Sequence, residues 1–139
     1  MTDRMIFKAN YGKKLVIPET PLKYLKLPKE FILLNTKKAL IFEGKRNHNC
    51  VGGYVDRINK GKCIVYAADI DGEHLTIDIR CRKSRKKNKK YDFYVCQCYK
   101  SYNKPCKNET LQYVQECVEH STEKAVEKYI KVNERERNL

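Results

Sequence analysis

Cys63-Ile64-Val65-Tyr66-Ala67-Ala68-Asp69-Ile70-Asp71-Gly72-Glu73-His74-Leu75-Thr76-Ile77-Asp78-Ile79-Arg80-Cys81 decides the fold. Cys63 to Asp69 is rich in apolar residues and reads as a strand. Asp71-Gly72 is a strong hairpin-turn signal, because both residue types accept positive φ. From Glu73 to Cys81 apolar and polar residues alternate. A strand of that period turns Leu75, Ile77, Ile79 and Cys81 to one side and His74, Thr76, Asp78 and Arg80 to the other. Tyr91 to Tyr99 supplies a third β-like run, and three consecutive strands with short connections predict an antiparallel meander.

Beyond the third run, Asn108 caps a helix from about Glu109. Its Leu111, Val114, Val118, Ala125, Tyr129 and Val132 keep helical spacing, so one stripe covers a face of the sheet. His120-Ser121-Thr122 is a candidate interruption, and the polar tail 133–139 is expected to fray. Ahead of the first strand, Thr36 to Lys45 reads as a short helix with Asn35 or Thr36 as its cap and Gly44 near its end. A second helix is expected from Asn49 to Lys60, stopped by Gly61. Within residues 1–34, Met5-Ile6-Phe7, Leu15-Val16-Ile17 and Phe31-Ile32-Leu33-Leu34 are broken by Pro18, Pro21 and Pro28, which predicts short edge strands or extended loops. The fold class is therefore α+β: an antiparallel sheet of three or more strands, two short helices before it and one long C-terminal helix.

The chain has 139 residues, enough for one domain with a core of its own. Lys and Arg number 30 against 17 Asp and Glu, a formal charge of +13. That imbalance costs self-repulsion, which a polyanion relieves. Nucleic acid, RNA or DNA, is the leading partner, since each neutralised phosphate also releases a counterion. An acidic protein surface is the alternative. No apolar run approaches the roughly 20 residues that span a bilayer, so no membrane partner is expected. The seven cysteines, with no secretory leader in Met1-Thr2-Asp3-Arg4, read as free thiols in a reducing compartment, and a cytoplasmic location is expected.

Arg80-Cys81-Arg82-Lys83-Ser84-Arg85-Lys86-Lys87-Asn88-Lys89-Lys90 is the densest charge run. Arg80, Arg82, Lys83, Arg85, Lys86, Lys87, Lys89 and Lys90 are the candidate nucleic-acid contacts, giving a phosphate backbone many partners but carrying no sequence information. Tyrosines 91, 94, 99 and 102 follow, and a tyrosine on an exposed sheet face stacks an unpaired base; packing is the ordinary alternative.

Glu43-Gly44-Lys45-Arg46-Asn47-His48-Asn49-Cys50-Val51-Gly52-Gly53-Tyr54 is the most unusual local sequence. With Asn49 as cap, Cys50 takes the first helical position, where the macrodipole lowers a thiol pKa and the amides of Cys50, Val51 and Gly52 are open donors. His48 and Cys50 are then the candidate catalytic pair, acting on a phosphodiester or acyl bond, and Gly52 and Gly53 allow close approach of an anion. A buried structural cysteine beside a tight turn accounts equally for the segment.

The same residues, with Gly61-Lys62, Thr76-Ile77-Asp78-Ile79, Gln97 and Asn103, resemble the PcfJ-like family of plasmid and phage proteins over approximately residues 31–118. Two features depart from it: Asn47 stands where the family usually has an apolar residue, and the loop 82–90 is longer than usual. The resemblance implies a phage or mobile-element origin, a PcfJ-like core over 35–132, and convergence of His48, Cys50, Gly52, Tyr54, Thr76 and Gln97 on one phosphate- or ligand-binding site. A third functional reading is an interaction protein that blocks a host defence or replication factor, using the basic face on an acidic protein surface.

No cofactor is expected on this reading. One weak metal pattern is present: Cys96-x-Cys98, with both sulfurs expected on one strand face, Cys117 and His120 three apart on a helix, and Cys106 between them are soft ligands of the kind zinc takes.

Overall fold

The computed structural model describes residues 12–137. Five strands form one antiparallel sheet whose spatial order follows the chain: β1 Phe31–Leu33, β2 Ile64–Ile70, β3 Glu73–Lys83, β4 Tyr91–Lys100 and β5 Lys104–Pro105. Between β1 and β2 come the helices α1 Lys37–Asn47 and α2 Val55–Asn59, and after β5 comes α3 Asn108–Arg137. The α+β architecture anticipated from the alternation and turn signals is the one observed.

The β2–β3 turn forms because Asp71 (φ 50°) and Gly72 (φ 77°) both take the left-handed conformation that a two-residue hairpin requires. Register then follows, with Ile64 opposite Ile79 and Tyr66 opposite Ile77. β2 does not alternate, being buried from Ile64 to Ala68. The reason is that helices cover both faces of the sheet. On one face Ile64, Tyr66, Leu75, Ile77, Ile79, Phe93 and Cys98 pack with Val114, Val118 and Ala125 of α3. On the other, Cys63, Val65 and Ala67 pack with Leu40 of α1, Val51 and Ile58. Complete burial of a valine such as Val114 stabilises by about 1.5–3 kcal/mol.

α1 starts where Thr36 Oγ1 accepts the amide of Ala39 at 3.0 Å. It ends at His48, which takes the left-handed cap conformation usually given to glycine. The expected helix over 49–60 is divided into a 3-10 turn at Val51–Gly53 and the five-residue α2. Gly52-Gly53 ends the 3-10 turn and Tyr54 separates it from α2; glycine there weakens helix continuity. α3 is unbroken through His120-Ser121-Thr122, because Thr122 Oγ1 donates to Val118 O at 2.8 Å within the helix. It also runs on to Arg137, so most of the tail expected to fray is helical.

In the N-terminal part, Pro21–Tyr24 is a 3-10 turn and Lys14 bridges Thr36. Phe31–Leu33 is the edge strand β1. The Met5-Ile6-Phe7 piece lies outside the described residues. Between Asp78 and Ile79 the pairing with β4 shifts from Gln97 to Val95, so Cys96 is the extra residue of a β-bulge.

Candidate functional site

A polar network lies between α1 and the middle of β3, on the face opposite α3. Glu43 and Asn47, four residues apart on α1, point at Thr76, and all three are buried. Thr76 Oγ1 donates to Glu43 Oε2 at 2.5 Å and accepts from Asn47 Nδ2 at 2.8 Å and Asn49 Nδ2 at 3.0 Å. One donor and two acceptor sites are all that a hydroxyl has. Thr76, read from the sequence as ligand-binding, therefore has no hydrogen-bonding capacity left for a ligand. Ser101 Oγ donates to Asn47 Oδ1 at 3.0 Å, which ties the end of β4 into the same network.

His74 completes it. Its Nε2 lies 2.8 Å from Glu43 Oε1 and its Nδ1 lies 2.6 Å from Asp69 Oδ1. Arg46 lies against the ring, Nη1 2.9 Å from Nδ1. Burial of His74 opposes its charge, but the hydrogen bond and charge of Glu43 and the hydrogen bond of Asp69 outweigh it and raise its pKa above the ordinary 6.5. His74 and Thr76 together keep Glu43 from being a buried carboxylate without partners. Glu43 and His74 stand 31 positions apart in the chain. The signal that would have found them is the polar run His74, Thr76, Asp78 on a central strand, facing a helix with Glu43 and Asn47 at one-turn spacing.

The His48–Tyr54 segment is built differently from the helix start expected there. Cys50 precedes a three-residue 3-10 turn, too short to carry a macrodipole. The Val51 amide is taken by Asn49 Oδ1 at 3.0 Å. Gly52 serves packing: a Cβ on it would meet Ile41 Cα at 3.4 Å, and one on Gly44 would meet the Gly52 nitrogen at 3.1 Å. The two glycines let the turn lie directly on α1. Phosphate capture by a helix start at Cys50 is thereby corrected. Cys50 itself is exposed beside a shallow cleft of about 280 Å³ that Gly53 and Lys45 also line. The His48 ring does not serve it; it stacks on Tyr102, centroids 4.3 Å apart and planes 3° apart. Tyr54 does meet Gln97, its hydroxyl 3.5 Å from Oε1. Burial and the charge of Asp78 raise the Tyr54 pKa. Thus the structure brings Tyr54 to Gln97 and His48 to Tyr102, while Thr76 belongs to the buried network.

The cations are not spread evenly. Between residues 36 and 62 there are seven Lys or Arg and two carboxylates, one of them the buried Glu43. The β3–β4 connection adds Arg82, Lys83, Arg85, Lys86, Lys87, Lys89 and Lys90, all exposed. Among the described residues none of these seven forms an ion pair. Backbone bonds shape the tip, Ser84 N to Lys90 O at 3.0 Å and Lys89 N to Lys86 O at 3.3 Å. Arg80 is the exception in the run, bound to Asp78 at 3.0 Å.

Three tyrosines on or beside the α1 face of the sheet each carry a cation or an imidazole on the ring. Arg57 lies 4.4 Å from the Tyr54 centroid, Arg82 lies 4.5 Å from that of Tyr94, and His48 covers Tyr102. Tyr91 instead packs edge-on against Tyr129 of α3. That contact holds the basic tip beside α3, where a groove of about 1060 Å³ has Lys89 and Lys90 on one wall and Glu116, Glu119, Glu123 and Glu127 on the other. The tip is thus open toward α1 and faces carboxylates toward α3.

The zinc pattern is not assembled. The bulge turns Cys96 out to solvent, whereas Cys98 is buried on the α3 side with its sulfur 3.7 Å from that of Cys106. The expected shared face of Cys96 and Cys98 is therefore corrected. Burial first, then Cys106, pushes the Cys98 thiol far up. His120 is exposed. Among the described residues no group of three or more His, Cys, Asp or Glu side chains is placed to hold a metal ion, and no helix is long and apolar enough to cross a membrane. No protein-family model matches the chain, and neither does any curated protein or solved structure.

Proposed function

We propose that this chain is a basic nucleic-acid-binding accessory protein of a plasmid or phage element, in line with its PcfJ-like resemblance, and that the β3–β4 tip holds the phosphate backbone. The observation that carries the reading is the run of seven exposed Lys and Arg between Arg82 and Lys90 without an ion pair among the described residues. Cations left this way keep their full charge for phosphates, and each phosphate contact releases a counterion. The cation-rich α1–α2 segment lies over one face of the same sheet, so a backbone that meets the tip from that side stays in a positive field. From the α3 side it meets four glutamates. The preferred approach is therefore across the α1 face.

The test is binding of labelled duplex and single-stranded oligonucleotides as a function of salt. Wild-type affinity falls steeply with salt. Replacing Arg82, Lys83, Arg85 and Lys86 together by glutamine flattens the slope of log K against log salt by about 3 and weakens all sequences alike. An unmodified protein with no salt-sensitive binding to either form overturns the reading. A protein partner retained from nuclease-treated lysate, with no nucleic acid bound, transfers the basic surface to an acidic protein instead.

A further inference from the structure

We infer that the pocket at the opposite end of the β3–β4 hairpin, beside the stacked pair His48 and Tyr102, binds one unpaired nucleotide of a single strand, its base on the outer face of Tyr102 and its phosphate on Lys104. The inference rests on the nucleic-acid reading above and adds the class of strand.

Three observations carry it. First, Tyr102 is 65% exposed although it is a large aromatic residue. One face of its ring is covered by His48, which leaves the other face open to a flat partner. Second, the backbone spends strain to place it. Tyr102 (φ 61°) and Asn103 (φ 57°) are consecutive left-handed residues, and His48 (φ 50°) is a third. Tyrosine and histidine take this conformation at a cost, and such strain clusters at ligand sites. Third, a cavity of about 380 Å³ adjoins the ring, lined by Glu73, His74, Lys100, Ser101, Tyr102 and Lys104. Its cations suit a phosphate, and Ser101 is held by Asn47 of the buried network. Within that wall Lys100 Nζ is ion-paired with Glu73 Oε2 at 3.7 Å, while Lys104 is exposed and forms no ion pair among the described residues, so Lys104 is the cation free for a phosphate.

A base inside a duplex cannot lie on Tyr102, since its faces are already occupied by its neighbours; an unpaired base can. The geometry also gives a length. The basic tip and this pocket stand at the two ends of β4, whose ten residues rise roughly 3.4 Å each, or about 30 Å in all. A strand rising about 3.4 Å per nucleotide spans that distance in roughly ten nucleotides, and an extended one in fewer.

The experiment compares Tyr102→Asn with wild type on three fluorescein-labelled probes of about 15 nucleotides: single-stranded RNA, single-stranded DNA and a blunt DNA duplex. Asparagine tolerates the left-handed backbone, so the ring is removed without new strain. The expected result is a loss of roughly 5- to 150-fold in affinity for at least one single strand, with duplex affinity changed less than about twofold. Tyr102→Phe keeps wild-type affinity. His48→Asn, which removes the backing ring at a position that also favours asparagine, lowers single-strand affinity in the same direction. Unchanged thermal midpoints show that the variants are folded. Equal loss on duplex and single strands, or no loss on either single strand, overturns the pocket while leaving the basic tip intact. Failure of the wild type to bind any probe overturns both.

Discussion

Replacing Thr76 by valine removes one oxygen from a buried network while preserving shape. In the wild type that oxygen donates to Glu43 Oε2 at 2.5 Å and accepts from Asn47 and Asn49. Loss of a hydrogen bond to a charged acceptor costs about 1.5–3 kcal/mol. Asn47 is 1% exposed; its Oδ1 keeps Ser101, but its Nδ2 is left with only a 3.4 Å contact to Tyr99 O and cannot turn to water. Its unsatisfied donor adds about 1–2 kcal/mol. Asn49 is partly exposed and is rescued by solvent. The total is about 2.5–5 kcal/mol, or a fall of roughly 9–17 °C in melting temperature for a chain of this size. Circular dichroism melts, with urea titrations to confirm an unchanged m-value, read it directly. If the network is structural, the folded variant binds oligonucleotides as the wild type does. A fall in melting temperature below about 3 °C, or loss of nucleic-acid binding by the folded variant, refutes this account.

Three further outcomes are expected. His74→Gln loses a group whose folded pKa lies above the ordinary 6.5, so its stability deficit is full below that pH and shrinks as pH rises through the raised value; melts at a series of pH values show whether the gap closes. Gly44→Ala places a methyl 3.1 Å from the Gly52 nitrogen and 3.2 Å from Asn49 O, both backbone; the overlap exceeds the helix-propensity gain of about 1 kcal/mol, and a lowered denaturation midpoint checks it. Glu119→Gln with Glu123→Gln removes two carboxylates from the wall facing Lys89 and Lys90. At about 8 Å each is worth roughly 0.5 kcal/mol in water, so affinity for nucleic acid rises about two- to fivefold at low salt and the gain disappears at high salt.

The parts of this fold that the sequence announced are those fixed by local chemistry. Asp71-Gly72 sets the hairpin, and the alternation from Glu73 to Cys81 assigns Leu75, Ile77 and Ile79 to the α3 face where they pack. Thr36 caps its helix as a threonine in that position does. What escaped depends on contacts distant in the chain. A bulge at Cys96 moves one sulfur to solvent while leaving Cys98 in the core, and nothing in Cys-Gln-Cys marks which residue is the extra one. The second helix stopped at Gly52-Gly53 because its turn needs to lie on Gly44. Of the candidate site, the basic tip was legible because charge density is visible in composition. Tyr102 was one of four tyrosines in view as stacking candidates, but its pairing with His48 was not legible, since His48 comes from another element and both depend on left-handed backbone.

The strictly sequential strand order has a consequence for synthesis. From β2 to β5 each strand finds its neighbour within a short stretch of chain, so that meander can assemble from local pairings as it leaves the ribosome, whereas β1 joins β2 across two helices. The meander's Ile64, Tyr66, Ile77 and Ile79 surface is covered in part by Leu22 and Leu25, but Val114, Val118 and Ala125 reach it only with α3, the last element made. That helix also reaches back to the earliest described part of the chain, through Tyr113 to Glu30 and Asn133 to Glu19. A nascent chain halted before residue 108 therefore carries a formed sheet with one greasy side partly bare, the state in which chaperones would hold it and from which truncated products would aggregate.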